Sequence, residues 1–286
     1  METRSSAPLD AGFWLRHFAV PLLLFGFAIA ACEITHVDLA LADRFYDFAS
    51  GTWPARESWW AQWLIHKRGR DLVVVVASFS LIAGVLAFQI ERLKRWRWQA
   101  LYLLLVICLG TGLVAVGKNL TGRHCPWDME RYGGTVPYTR LFEGPSPGPD
   151  KGRCFPAGHA AGGYALMGIY FALRDRRMAT ARAGLAAGAA LGTIYGYGQM
   201  ARGAHFLSHT IWSAAVCWFA ALVLYAAFRP LLAPSVCNST IMDRSGNNGP
   251  DDGRNERMPH PPVPDMPDMT QSAHDAGEPL VVPRRP

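Results

Sequence analysis

The sequence predicts an all-α integral membrane bundle of about six transmembrane helices with an extramembrane active-site loop. Three observations carry that expectation. Half of the 286 residues are apolar and only 17% are charged. The apolar residues gather in long uncharged runs, and about 20 such residues cross a ~30 Å hydrocarbon core. A Pro-, Asp-, Asn- and Gly-rich segment follows them and has no apolar period.

The runs fall near Phe18–Cys32, Leu72–Ile90, Ala100–Val116, Ala157–Leu173, Ala183–Met200 and Thr210–Phe228. The first is short and follows Arg16 and His17. Its Ile29-Ala30-Ala31-Cys32 end resembles a lipoprotein cleavage box, but retention as a signal-anchor helix is the expected outcome. The fourth and fifth are rich in glycine. Gly162, Gly163, Gly168, Gly184, Gly188 and Gly192 let helices pack closely in lipid. Residues 1–232 are therefore expected to form the membrane domain and residues 233–286 a disordered tail, too polar to offset its ordering entropy.

Loop charge sets the orientation. Arg92, Lys94, Arg95 and Arg97 crowd one connection, and Arg174, Arg176, Arg177 and Arg182 another. Placing both in the cytoplasm obeys the positive-inside rule. It also leaves Arg56, Lys67, Arg68 and Arg70 outside, against the rule. The aromatic stretch from Phe45 through Trp63 would lie along the membrane surface or pack on the bundle.

With that parity, four short stretches emerge on one face. They are Lys118, Arg123–Pro126, Pro156–His159 and Arg202–His209. A phosphate monoester carries about two negative charges. Its in-line substitution needs cations and N–H donors already aimed at the equatorial oxygens. Lys118, Arg123 and Arg202 can supply the cations, arginine as a planar fork and lysine as a point charge. Gly158 would let backbone N–H groups at a helix start approach the anion, and His159 would stand beside it. His205 and His209, four apart, share a helical face. One is a candidate nucleophile and the other would orient its ring. A His-x-x-x-His pair can also be half of a zinc site, but a third ligand is missing. No metal or cofactor is expected.

These residues resemble the type 2 phosphatidic acid phosphatase (PAP2) family over roughly residues 117–212. The family signature is a lysine, six residues, Arg-Pro; then Pro-Ser-Gly-His; then Ser-Arg, five residues, His, three residues, Asp. Lys118, Pro126, Gly158, His159 and His205 match. The resemblance implies His205 as a nucleophile that forms a phosphohistidine, and His159 as general acid. Five positions depart from the pattern. Cys125 and Gln199 replace the two arginines, with Gly198 beside the latter. Ala157 replaces the serine and His209 the aspartate. Arg123 and Arg202 are the nearest substitute cations, and Asp128 or Glu130 would supply the missing carboxylate.

The variant motifs look like those of Gram-negative membrane phosphatases that act on lipid A or related lipids. The resemblance thus implies a bacterial inner-membrane lipid phosphatase with a periplasmic site. Its partners would be the bilayer and a phosphorylated lipid, with no nucleic acid. A phosphotransferase using the same intermediate and a non-catalytic lipid-phosphate binder or transporter are the alternatives. Cys125 and Cys154 flank the motif loop and could form a disulfide in an oxidising compartment. Trp127, Tyr132 and Tyr138 within that loop could touch the lipid.

Overall fold

The computed structural model describes residues 9–144, 148 and 151–232. The expected tail lies outside them. The described residues are helical with no strand. Helix α1 covers Ala11–Ile34, and a short α2 follows at Val37–Ala42. Helix α3 runs Trp59–Gln89 and α4 runs Arg97–Thr121. Helices α5 (Gly158–Ala165), α6 (Gly168–Leu173), α7 (Met178–Ala201) and α8 (Leu207–Leu232) complete the bundle.

Four helices, α1, α3, α4 and α8, are long and apolar enough to cross a membrane. The fourth predicted run is broken. Leu166 and Met167 bond three residues back, to Gly163 and Tyr164, so α5 and α6 are separated by a tight turn. Glycines bring α7 against this break. A Cβ on Gly188 would sit 2.5 Å from the Met167 backbone nitrogen, and one on Gly163 2.4 Å from that of Gly192. Only glycine permits backbones to meet so closely. The fourth and fifth runs therefore trade apolar bulk for contact, and their buried faces join α4 and α8 in one core. Tyr102, Val106, Ala161, Phe171, Cys217 and Leu222 lie within it.

The two basic loops meet at one end, where Arg176 and Arg177 lie over the Trp96 ring. The motif residues lie at the other. There Gly122, at φ 62°, ends α4 in a left-handed turn that costs glycine nothing. The chain then enters the long loop. Cys125 and Cys154 form a disulfide across it, and the Cys154 N–H donates to Arg123 O at 2.7 Å. Beyond the disulfide, Met129 and Tyr132 pack with Tyr46, Trp53 and Phe206 in a second cluster. Arg131 grips Asp43 with two N–H groups at 2.8 and 2.6 Å. The aromatic stretch is thus divided. Tyr46 and Trp53 pack under the loop, whereas Trp59, Trp60 and Trp63 are exposed.

Candidate active site

Three helix ends and one turn build the site. Lys118 is in the last turn of α4, with its Nζ 3.5 Å from Arg153 O. Gly158 opens α5, and a Cβ there would lie 3.2 Å from Lys118 Cε. The missing side chain lets the lysine lie against the α5 start, where backbone N–H groups have no helical partner. His159 is the next residue. From the other side, Arg202 and His205 occupy the turn between α7 and α8, and both are buried. His209 lies in the first turn of α8.

His205 Nδ1 faces His209 Nδ1 at 3.4 Å and the Cys154 sulfur at 3.4 Å. Its Nε2 is the nitrogen left for an incoming ligand. The charges that act most on His205 are Lys118, His209 and His159. Those acting on His159 are His66, Lys118, Arg202 and Arg70. No carboxylate is among either set. Burial, and then Lys118, hold the His205 imidazole well below its ordinary value of 6.5. It is therefore neutral at pH 7, as a nitrogen nucleophile must be.

Arg123 braces the loop, and among the site histidines its charge acts on His209. Its guanidinium donates to Thr139 Oγ1 at 2.7 Å and to the Leu141 carbonyl. These bonds use part of its five-donor fork to brace the loop. Asp128 does not reach His205 either. It accepts the Cys125 N–H at 3.1 Å and lies 3.9 Å from His124. Tyr132 is buried and donates to Asp43 at 2.9 Å, so it is a loop anchor. Trp127 lies under the Arg56 guanidinium, and Tyr138 packs edge-on to Phe206.

Three residues that sequence reasoning missed take their places. His66 stacks on His159 with ring centroids 4.0 Å apart. Arg70, one helical turn further along α3, faces the same ring. Asp38, on α2, accepts the Ser208 N–H at 2.9 Å and its hydroxyl at 2.5 Å. It thereby caps α8 one residue before His209. One sequence signal did point to α3, since Lys67, Arg68 and Arg70 were the residues that broke the positive-inside pattern.

Two clefts meet at the stacked histidines. One of about 350 Å³ is lined by Gln62, Trp63, His66, Lys67, Arg68, Arg70 and Asp71. An apolar one of about 300 Å³ runs between α3 and α4, past Val73, Val74, Thr111 and Gly162, to Lys118 and His159. Val74 is 58% exposed on the surface that would face lipid.

Residues 99–232 match the model of the PAP2 superfamily. The PAP2 match takes in Lys118, His159, Arg202, His205 and His209, and it excludes His66 and Arg70. No curated protein and no solved structure matches the chain.

Cys154, His205 and His209 place three ligand atoms within 4.8 Å of one another, a spacing a metal ion could use. The sulfur, however, is bonded to Cys125. A disulfide sulfur has no thiolate to offer, and two imidazoles alone do not complete a zinc site.

Proposed function

We propose that the protein is a membrane lipid phosphatase that hydrolyses a lipid phosphate monoester through a phosphohistidine on His205. The observation that carries this reading is the gathering of Lys118, Arg202, His159 and His205 beside an apolar groove, with no carboxylate acting on either histidine. A cationic pocket of that kind asks for an anion, and the groove asks for a chain attached to it. The match to a superfamily whose members are usually phosphatases supports the same reading.

The chemistry follows from the geometry. Lys118 and Arg202 hold the phosphate and stabilise charge on its equatorial oxygens. Neutral His205 attacks phosphorus through Nε2, and the P–O bond to the lipid breaks. His159, protonated in the presence of the dianion, gives its proton to the leaving alcohol. Water then attacks the phosphohistidine, His159 takes the water proton, and inorganic phosphate leaves. His209 holds the His205 ring from the Nδ1 side. Because His209 replaces an aspartate, the cationic phosphohistidine is stabilised less than a carboxylate would allow. The substrate enters from the outer leaflet along the α3–α4 groove, with the site on the periplasmic face of a bacterial inner membrane.

The lipid is one of several phosphorylated classes, among them lipid A, undecaprenyl pyrophosphate, phosphatidylglycerophosphate and phosphatidate. Phosphate release from this panel by the purified protein tests the reading. Wild type should release phosphate with or without chelator, and His205→Ala and His159→Ala should fall by at least about a thousandfold. Equal release by the histidine variants would refute the mechanism. Loss of wild-type activity in chelator would favour a metal.

A further inference from the structure

His66 lies outside every motif and outside the matched residues, yet its surroundings define its chemistry closely. Its Nδ1 is 3.1 Å from Gln199 Nε2. The other end of that amide, Oε1, is 3.3 Å from Arg202 Nη1. A guanidinium only donates, so the amide oxygen must face Arg202 and the amide NH2 must face His66. The NH2 group donates in turn, so His66 Nδ1 is an unprotonated acceptor. A proton there would collide with the amide hydrogen. The single proton of the neutral ring is therefore on Nε2. Arg202 also donates through Nε to Arg56 O at 3.3 Å, which fixes the start of this chain of bonds.

The locked ring stacks on His159 and lines the cleft that also holds Lys67, Arg68 and Arg70. In a stack with centroids 4.0 Å apart, an anion seated at the edge of one imidazole is within reach of the edge of the other. Gln199 also stands where the resembled family has an arginine. What this chain lacks there in charge, it can supply as a neutral donor one bond further out.

We propose that His66 is a further anion-binding residue, whose Nε2–H donates to a non-bridging oxygen of the tetrahedral oxyanion held beside His159. The Arg202–Gln199 pair acts through it by fixing its tautomer. This inference rests on the phosphate-ester reading above. The oxyanion is the phosphate of a lipid headgroup or free inorganic phosphate, and the two are separated by the probes below.

The test uses the full-length protein in detergent. Orthovanadate and inorganic phosphate binding are measured by calorimetry, and phosphate release is measured from a lipid phosphate. His66→Phe keeps the ring stack and removes the donor. His66→Gln places an amide N–H near the Nε2 position, whereas His66→Asn places it near Nδ1. The expected result is about tenfold weaker vanadate binding for His66→Phe and His66→Asn, with kcat/KM lowered to match. His66→Gln should retain most of both. Gln199→Glu, which would accept from Nδ1 and reverse the tautomer, should behave like His66→Phe. Vanadate binding unchanged in His66→Phe would overturn the proposal, as would a loss in His66→Gln as large as in His66→Phe, because packing alone would then explain the residue. If vanadate binding followed the expected pattern while the wild type released no phosphate from any lipid, the donor role would stand and the phosphatase reading would fall.

Discussion

Two clusters of histidine and arginine lie at opposite ends of the α5–α6 pair, and they are built on opposite terms. At the basic-loop end, His17 Nδ1 bonds Phe13 O and its Nε2 bonds the Tyr170 hydroxyl, both at 2.8 Å. Arg174 lies 4.7 Å over the Phe13 ring and 3.4 Å from Asp175. Both ring nitrogens of His17 are bonded there, and Arg174 is paired with an acid. At the motif end, the charges of His66, Lys118, Arg202 and Arg70 all act on His159 instead. The one acid nearby on α3, Asp71, is shared by Arg68 and Arg70 at 3.5 and 3.7 Å. The difference teaches which cluster is structural. The first is held by rings and an acid, whereas the second, although Arg202 bonds Gln199 and Arg56 O, gathers positive charge that a ligand of negative charge would balance.

Substitutions should separate the two most sharply. Lys118→Ala and Arg202→Ala should each lower kcat/KM for a lipid phosphate by about a hundredfold or more. The thermal midpoint of Lys118→Ala should stay level or rise, because a like charge is being removed. Arg174→Ala should do the reverse. It should cost about 2–3 kcal/mol of stability, with activity per folded molecule unchanged. Thermal unfolding in detergent alongside phosphate release measures both. A destabilised Lys118→Ala protein with full residual activity would erase the distinction.

An uncompensated site must be held together by something else, and two devices are positioned to do so. The Cys125–Cys154 disulfide closes 29 residues of sequence separation, a loop expected to contribute about 3–4 kcal/mol in the chain-entropy model. Cys125→Ser should lower the thermal midpoint accordingly, and non-reducing mass spectrometry should find the pair unalkylated in wild type. Asp38 is the second device. Burial raises its carboxyl above the usual range, against the Ser208 bonds that lower it. Asp38→Ala would strip the α8 start of its cap and should cost about 2 kcal/mol.

Acid should strain the motif end in the same direction. His205 is held below 6.5 in the fold, so the unfolded chain binds its proton first as pH falls. The contribution of neutral His205 is present in full above about pH 6.5. It is lost as pH drops from there toward the native value, and nucleophilic activity is lost with the free imidazole. A stability profile with His205→Asn flatter than wild type below pH 6.5 is the expected sign. The smallest effect belongs to the loop anchor. Asp43→Asn would break the Arg131 fork, in which Asp43 is held below the usual carboxylate range, mainly by Arg131. It should cost only about 1 kcal/mol because the pair is partly exposed.

Much of this was legible from the sequence, and the misses have physical causes. Apolar runs and glycine spacing located the helices, because lipid leaves the backbone few alternatives. They did not reveal the break at Leu166–Met167, which arises where the backbone of α7 presses in at Gly188. Lys118, Gly158, His159, Arg202, His205 and His209 are brought together because they occupy helix ends that parity places on one face. Arg123 differs because proximity in sequence does not fix where a guanidinium points, and the loop carbonyls claim it. His66, Arg70 and Asp38 come from segments far from the motifs, and only packing reveals them. The available clue is that Arg56, Lys67, Arg68 and Arg70 do not fit the positive-inside pattern expected from the other basic loops.

The most direct measurement is to capture the covalent intermediate. Brief exposure to a ³²P-labelled lipid phosphate, an alkaline quench and peptide mapping should place the label on His205. The label should decay as inorganic phosphate appears and be absent from His205→Ala. Undiminished phosphate release with no label on His205, or label carried equally by His205→Ala, would contradict the account.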